Sequence, residues 1–151
     1  MYVNLKGVEN EMSKTLFTAA ATAYGGREGK VKSEDDVLQF ETAMPGTPRA
    51  SRVENATNPE QLFAAGYAAC FDSAIQAVAR KEKVKFEHEV TANVSLLQTE
   101  DGGFELAVTL QVKGTDIERA QLEDIVHKAH EVCPYSKATR NNINVTLEVV
   151  E

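Results

Sequence analysis

The chain has 151 residues, 42% hydrophobic and 26% charged, with 16 Lys and Arg against 23 Asp and Glu, a formal net charge of -7. This length suits one domain that buries roughly 70% of the surface of its unfolded chain, so a core forms without disulfide staples. The acidic balance argues against nucleic acid, whose phosphates need clustered cations, and favours a small molecule or a protein as partner. No run of 18 apolar residues and no signal-peptide order are found, so no membrane association and a cytoplasmic location are expected.

Residues 1–11 are polar and aperiodic, which predicts an N-terminal extension followed by a single domain from Met12 to Glu151. Residues 14–24, KTLFTAAATAY, predict a first strand ending at Gly25-Gly26. The following GGREGKVKSED reads as a mobile loop, and VLQFETA (37–43) as a second strand pairing back on the first. Pro45, Gly46 and Pro48 mark a polar linker to Thr57.

Asn58-Pro59-Glu60-Gln61 carries a helix start, with Asn58 as cap, Pro59 at the first helical position and Gln61 completing a capping box. The helix should run to about Lys83. Apolar or small residues recur along it at three-and-four spacing with a thin polar face, which predicts burial on most sides and a homodimer that brings two copies of this helix together. Residues 85–98 alternate, with Phe86, His88, Val90, Ala92 and Val94 on one face; FELAVTLQV after TEDGG alternates likewise, completing a hairpin. Thr115 to Glu118 predict a second capping box, for a helix with Ile117, Leu122, Ile125, Val126, Ala129, Val132 and Cys133 on one stripe and Pro134 as its stop. INVTLEVV closes the chain as a strand. The order is an α+β pattern of antiparallel sheets around two buried helices.

The chain has two cysteines, and no CxxC motif joins them. One reading is simple core packing, since free Cys is among the most buried residue types and each lies on an apolar helical stripe. The other is a redox pair from two facing helices. A reactive Cys70 must be a thiolate, and it lies too deep in its helix for the helix dipole to help, so a cation is required. Arg27 is the best placed by local grammar, flanked by Gly25, Gly26 and Gly29; the alternative is a solvated turn charge. Glu60, in the first helical turn, suits a carboxylate that holds such an arginine, or is simply a helix-terminal charge. Ten residues of helix separate Glu60 from Cys70, about 15 Å of rise, so the two cannot meet on one helix. In a shared site either a long Arg spans the gap or Glu60 arrives from a second subunit, the arrangement preferred here.

Two segments, NPEQLFAAGYAAC (58–70) and VCPYSKATR (132–140), together with the GGREG loop (25–29), resemble the signatures of the organic hydroperoxide resistance proteins, in the superfamily shared with the osmotically inducible protein C group. The resemblance extends from about residue 14 to the end. It implies that Cys70 is the peroxidatic nucleophile and Cys133 the resolving thiol, and that Arg27 and Glu60 are the supporting pair. It further implies an intertwined homodimer with interfacial sites, no bound cofactor, and reduction by dihydrolipoamide or a lipoylated protein. Leu62, Phe63, Tyr67 and Phe71 are expected to line the substrate site and to favour hydroperoxides with hydrocarbon tails, fatty-acid hydroperoxides included. TRNNI stands where the family more usually has TRGN, which puts the turn after the second helix in question. The rivals are a peroxidase of the osmotically inducible branch with broader specificity, and a stress protein that senses oxidants or binds an apolar ligand without turnover.

Overall fold

The computed structural model describes residues 13–151, so the expected extension at 1–11 and the domain start at Met12 lie outside the described residues. The chain forms two compact units, the first ending at Ala56 and the second spanning Thr57–Glu151. Their boundary falls at the end of the Pro- and Gly-bearing linker.

The first unit is a three-stranded antiparallel sheet of β1 (Ala21–Tyr24), β2 (Lys30–Ser33) and β3 (Gln39–Glu41), in that order. This departs from the sequence expectation in three ways. The first strand covers only the end of 14–24. The segment read as a mobile loop contains a one-turn 3-10 helix (Gly26–Glu28) and β2, and β3 pairs with β2 rather than with β1. The reason β2 escaped notice is physical: its sequence KVKS buries neither face fully, so it lacks the apolar alternation that marks a half-buried strand. The β1–β2 turn is specified by glycine. Gly25 takes φ 77°, and a Cβ on Gly29 would fall 1.8 Å from the Tyr24 carbonyl oxygen.

The second unit begins with α1 (Pro59–Glu82). Its start follows the expected grammar, with the Asn58 side chain accepting a 2.8 Å hydrogen bond from the Gln61 amide and Pro59 in the first turn. The Gln61 side chain accepts from the Thr57 hydroxyl at 2.7 Å, so the second arm of the box is made with the residue before the cap. Lys83 closes the helix in the left-handed conformation. By length and composition α1 would also qualify as a membrane span, but such a test is passed equally by core helices, and one third of its most apolar window is buried within this chain.

Strands β4 (Glu87–Gln98) and β5 (Phe104–Thr115) pair antiparallel along their whole lengths, with Val90, Ala92 and Val94 facing inward as the alternation predicts. The final strand, β6 (Asn144–Val150), pairs with β5 in parallel, which makes the sheet mixed. Parallel neighbours need a crossover, here supplied by α2 (Arg119–Val132) and α3 (Pro134–Thr139). The proposed box at Thr115–Glu118 is not formed: Thr115 belongs to β5 and no side chain caps α2. Pro134 does end α2, but it also opens α3, which the sequence reading missed. Val132, expected on the buried stripe, is 58% exposed. Asn141 takes φ 60°, the left-handed state that Asn tolerates better than most residues, and so keeps the turn for which glycine is more usual. The core joins Tyr67, Phe71 and Ile75 of α1 to Val108, Leu110 and Val112 of β5 and to Leu122, Ile125, Val126 and Ala129 of α2.

Candidate active site

Cys133 occupies the break between α2 and α3. It caps both helices with an extended backbone (φ −67°, ψ 124°), because the residue before a proline is pushed out of the helical region. This conformation directs the wholly buried Cys133 toward α1, where its Sγ lies 3.6 Å from that of the half-buried Cys70; both are free thiols. Facing helices therefore bring together two residues 63 positions apart. The contact is organised by α3. A Cβ on Gly66, one turn before Cys70, would meet the Tyr135 hydroxyl at 2.7 Å and its ring at 3.2 Å, so glycine allows Tyr135 to lie against the helix. The Tyr135 ring packs with Phe63 and Tyr67, whose neighbour in turn is Phe71.

Burial pushes the Cys70 thiol above its ordinary value of 9.0, and hydrogen bonding and charge repulsion from Cys133 push it the same way; a backbone hydrogen bond from Tyr135 opposes them. A thiol raised in this way is a weaker acid than an ordinary cysteine, and a positive group beside it would oppose the shift.

Behind the sulfurs lies a buried polar cluster. The Tyr67 hydroxyl is 3.0 Å from both Ser136 Oγ and Thr139 Oγ1, and Ser136 Oγ is 2.8 Å from His130 Nδ1. Burial, reinforced by the Arg140 cation, holds His130 below its ordinary value and so favours the neutral ring. Arg140 donates to the His130 carbonyl oxygen at 2.5 Å.

The other sequence candidates are placed as follows. Arg27 lies half-buried in the 3-10 turn of the first unit, and Glu60 half-buried in the first turn of α1. The Arg27 turn is closed at both ends by Thr42, whose hydroxyl accepts from the Gly29 amide at 2.9 Å and donates to the Gly26 carbonyl at 2.8 Å. Arg49 ties the same region down, donating to the carbonyls of Thr42 and Gly29 and pairing with Glu41. Leu62 and Phe63 are half-buried, whereas Tyr67 and Phe71 have no accessible surface in this chain. Sequence reasoning passed over Thr42, Arg49, His130, Tyr135 and Ser136. Only Tyr135 and Ser136 had a local signal, their place within VCPYS; the others act through contacts that no spacing announces.

The model of the OsmC-like protein family matches residues 52–148. The chain is 68% identical to the organic hydroperoxide resistance protein OhrA of Bacillus subtilis over 93% of its own length and all of that protein. The crystal structure of OhrB of Bacillus subtilis, an organic hydroperoxide resistance protein, superposes with a TM-score of 0.85 at 49% identity, covering 90% of this chain and 100% of that one. A second, from Legionella pneumophila, gives a TM-score of 0.81 at 48% identity, covering 91% and 100%. Family match, identity and fold agree: the chain belongs to the OsmC-like family, among its organic hydroperoxide resistance proteins.

Proposed function

We propose that the protein is a thiol peroxidase that reduces organic hydroperoxides, fatty-acid hydroperoxides among them, to alcohols. The observation that carries this reading is the pair of free thiols 3.6 Å apart in a chain whose relatives are named for resistance to such compounds. The Cys70 thiolate attacks the distal oxygen of ROOH. The O–O bond breaks, an S–O bond forms, and the alkoxide leaves and takes a proton, so sulfur is oxidised as the peroxide is reduced. Arg27 supplies the cation that Cys70 needs and stabilises the departing alkoxide, with Glu60 holding the guanidinium. Cys133 then displaces the hydroxyl of the sulfenic acid; the S–S bond forms and water leaves with the Cys133 proton. No bound cofactor takes part. An external dithiol, dihydrolipoamide or a lipoylated protein, reduces the disulfide, a cycle suited to the reducing cytoplasm.

The half-buried Leu62 and Phe63, backed by Tyr67 and Phe71, favour a hydrocarbon tail over hydrogen peroxide, at about 0.8 kcal/mol for each methylene buried. A homodimer with sites at the subunit interface is supported by apolar surface that the single chain leaves open, including Phe17, Tyr24 and Phe40.

The deciding experiment follows consumption of a fatty-acid hydroperoxide, with dihydrolipoamide as reductant, by wild type, Cys70→Ser and Cys133→Ser. Cys70→Ser should abolish even a single turnover. Cys133→Ser should complete one turnover and accumulate sulfenic acid. Activity surviving in Cys70→Ser overturns the choice of nucleophile, equal use of hydrogen peroxide overturns the preference for organic substrates, and absence of turnover in wild type leaves a sensor or binding protein.

A further inference from the structure

We propose that His130 and Ser136 form a side-chain clamp across the α2–α3 break that positions Cys133 for closure onto Cys70. This rests on the peroxidase reading above. Cys133 stands three residues after His130 and three before Ser136, at the one position where the backbone leaves the helical region. Backbone hydrogen bonds run into it from one side, from its amide to the Ala129 carbonyl at 2.9 Å, and leave it on the other, from the Lys137 amide to its carbonyl at 3.0 Å. The direction that α3 takes from α2 is set by the two dihedrals of Cys133, and a rotation there swings α3 against α2. The 2.8 Å contact between His130 Nδ1 and Ser136 Oγ ties the two helices together across this pivot. Each end of the tie is itself anchored. Ser136 Oγ meets Tyr67 of α1, the helix that carries Cys70, and the His130 carbonyl receives Arg140 from beyond α3.

Disulfide closure shortens the sulfur separation from 3.6 Å to about 2.05 Å. For so short an approach the orientation of the thiol governs the rate, and a loosened pivot spreads Cys133 over arrangements that do not react. The contacts of His130 and Ser136 are with each other and with Tyr67, and both act through Cys133, so both are positioning residues. Their loss should spare the attack of Cys70 on peroxide and slow only the second step.

The test separates those steps. Reduced protein is mixed with one equivalent of an organic hydroperoxide and quenched over time. Loss of peroxide reports the first step, and mass spectrometry of the sulfenic acid, captured by a carbon nucleophile, and of the disulfide reports the second. His130→Ala should leave the first rate within about twofold and slow disulfide formation about five- to tenfold, as expected for one hydrogen bond to a partly buried partner. His130→Asn, whose side-chain amide can again reach Ser136, should recover most of the closure rate. Ser136→Ala is read on the same split and decides the matter should His130→Ala not fold. Unchanged closure in both alanine variants, or equal slowing of both steps, overturns the clamp. Were wild type to form no Cys70–Cys133 disulfide, the peroxidase cycle would fall and the clamp with it; a disulfide formed at the wild-type rate in both His130→Ala and Ser136→Ala would leave the cycle standing and the clamp refuted.

Discussion

Removing one oxygen atom from Tyr67 tests whether the polar cluster behind the thiols contributes to stability. The Tyr67 hydroxyl meets Ser136 Oγ and Thr139 Oγ1, each at 3.0 Å, with all three residues buried. Tyr67→Phe keeps the ring and its contacts with Phe63, Phe71 and Tyr135. Neither partner is orphaned, because Ser136 Oγ retains His130 and the Thr139 hydroxyl retains the Ser136 carbonyl at 3.2 Å. The loss is therefore that of two net hydrogen bonds, about 1 kcal/mol each, without the larger penalty of a buried unpaired group. A total of about 1–2 kcal/mol corresponds, for a protein of this size, to a fall in Tm of roughly 2–8 °C. Tyr67→Ala would also remove a buried ring and should cost about 3–5 kcal/mol. Urea denaturation of the reduced proteins, followed by circular dichroism at one fixed protein concentration, measures both. Equal or greater stability of Tyr67→Phe would show that the cluster adds nothing. A loss as large as that of Tyr67→Ala would show that the retained partners do not compensate.

Gly66→Ala places a Cβ within 2.7 Å of the Tyr135 hydroxyl, so the ring must move, at about 1–3 kcal/mol, against about 1 kcal/mol gained by replacing a glycine inside a helix; a net loss of up to about 2 kcal/mol is expected by denaturation, and a gain of a full ~1 kcal/mol would mean that Tyr135 yields freely. The Cys70 thiol, raised chiefly by burial, makes the folded state bind its proton more tightly than the unfolded chain does. Stability from this group is fully present below the ordinary value of 9.0 and is lost as pH rises through the higher folded value. The difference in urea midpoint between wild type and Cys70→Ser should thus move against wild type above pH 9. A difference that stays flat with pH in the reduced proteins, or moves in favour of wild type, would show that burial does not govern this thiol.

What could be read from residues alone was whatever is decided within one element. The start of α1 at Asn58-Pro59, its end near Lys83, the β4–β5 alternation and most of the α2 stripe each depend on neighbours within a few positions. Cys70 and Cys133 were visible as candidates because cysteine is scarce, and the motifs around them pointed to their pairing. The failures have a common cause. β2 lacked a pattern because neither of its faces is fully covered, and α3 was overlooked because a proline that ends one helix is equally suited to begin the next. The parallel pairing of β6 carries no local mark, since alternation reads the same in either direction.

The amino-acid sequence by itself determined α1, α2, the β4–β5 hairpin and the closing strand, the redox-capable residue pair and the family, because propensity, capping and motif are properties of short stretches. Only the tertiary structure decided that the two sulfurs lie 3.6 Å apart, that burial raises the Cys70 thiol above its ordinary value, and that His130, Ser136 and Tyr67 converge beside the Cys133 pivot. Those facts belong to distances between α1, α2 and α3, and such distances follow from side-chain packing among residues far apart in the chain.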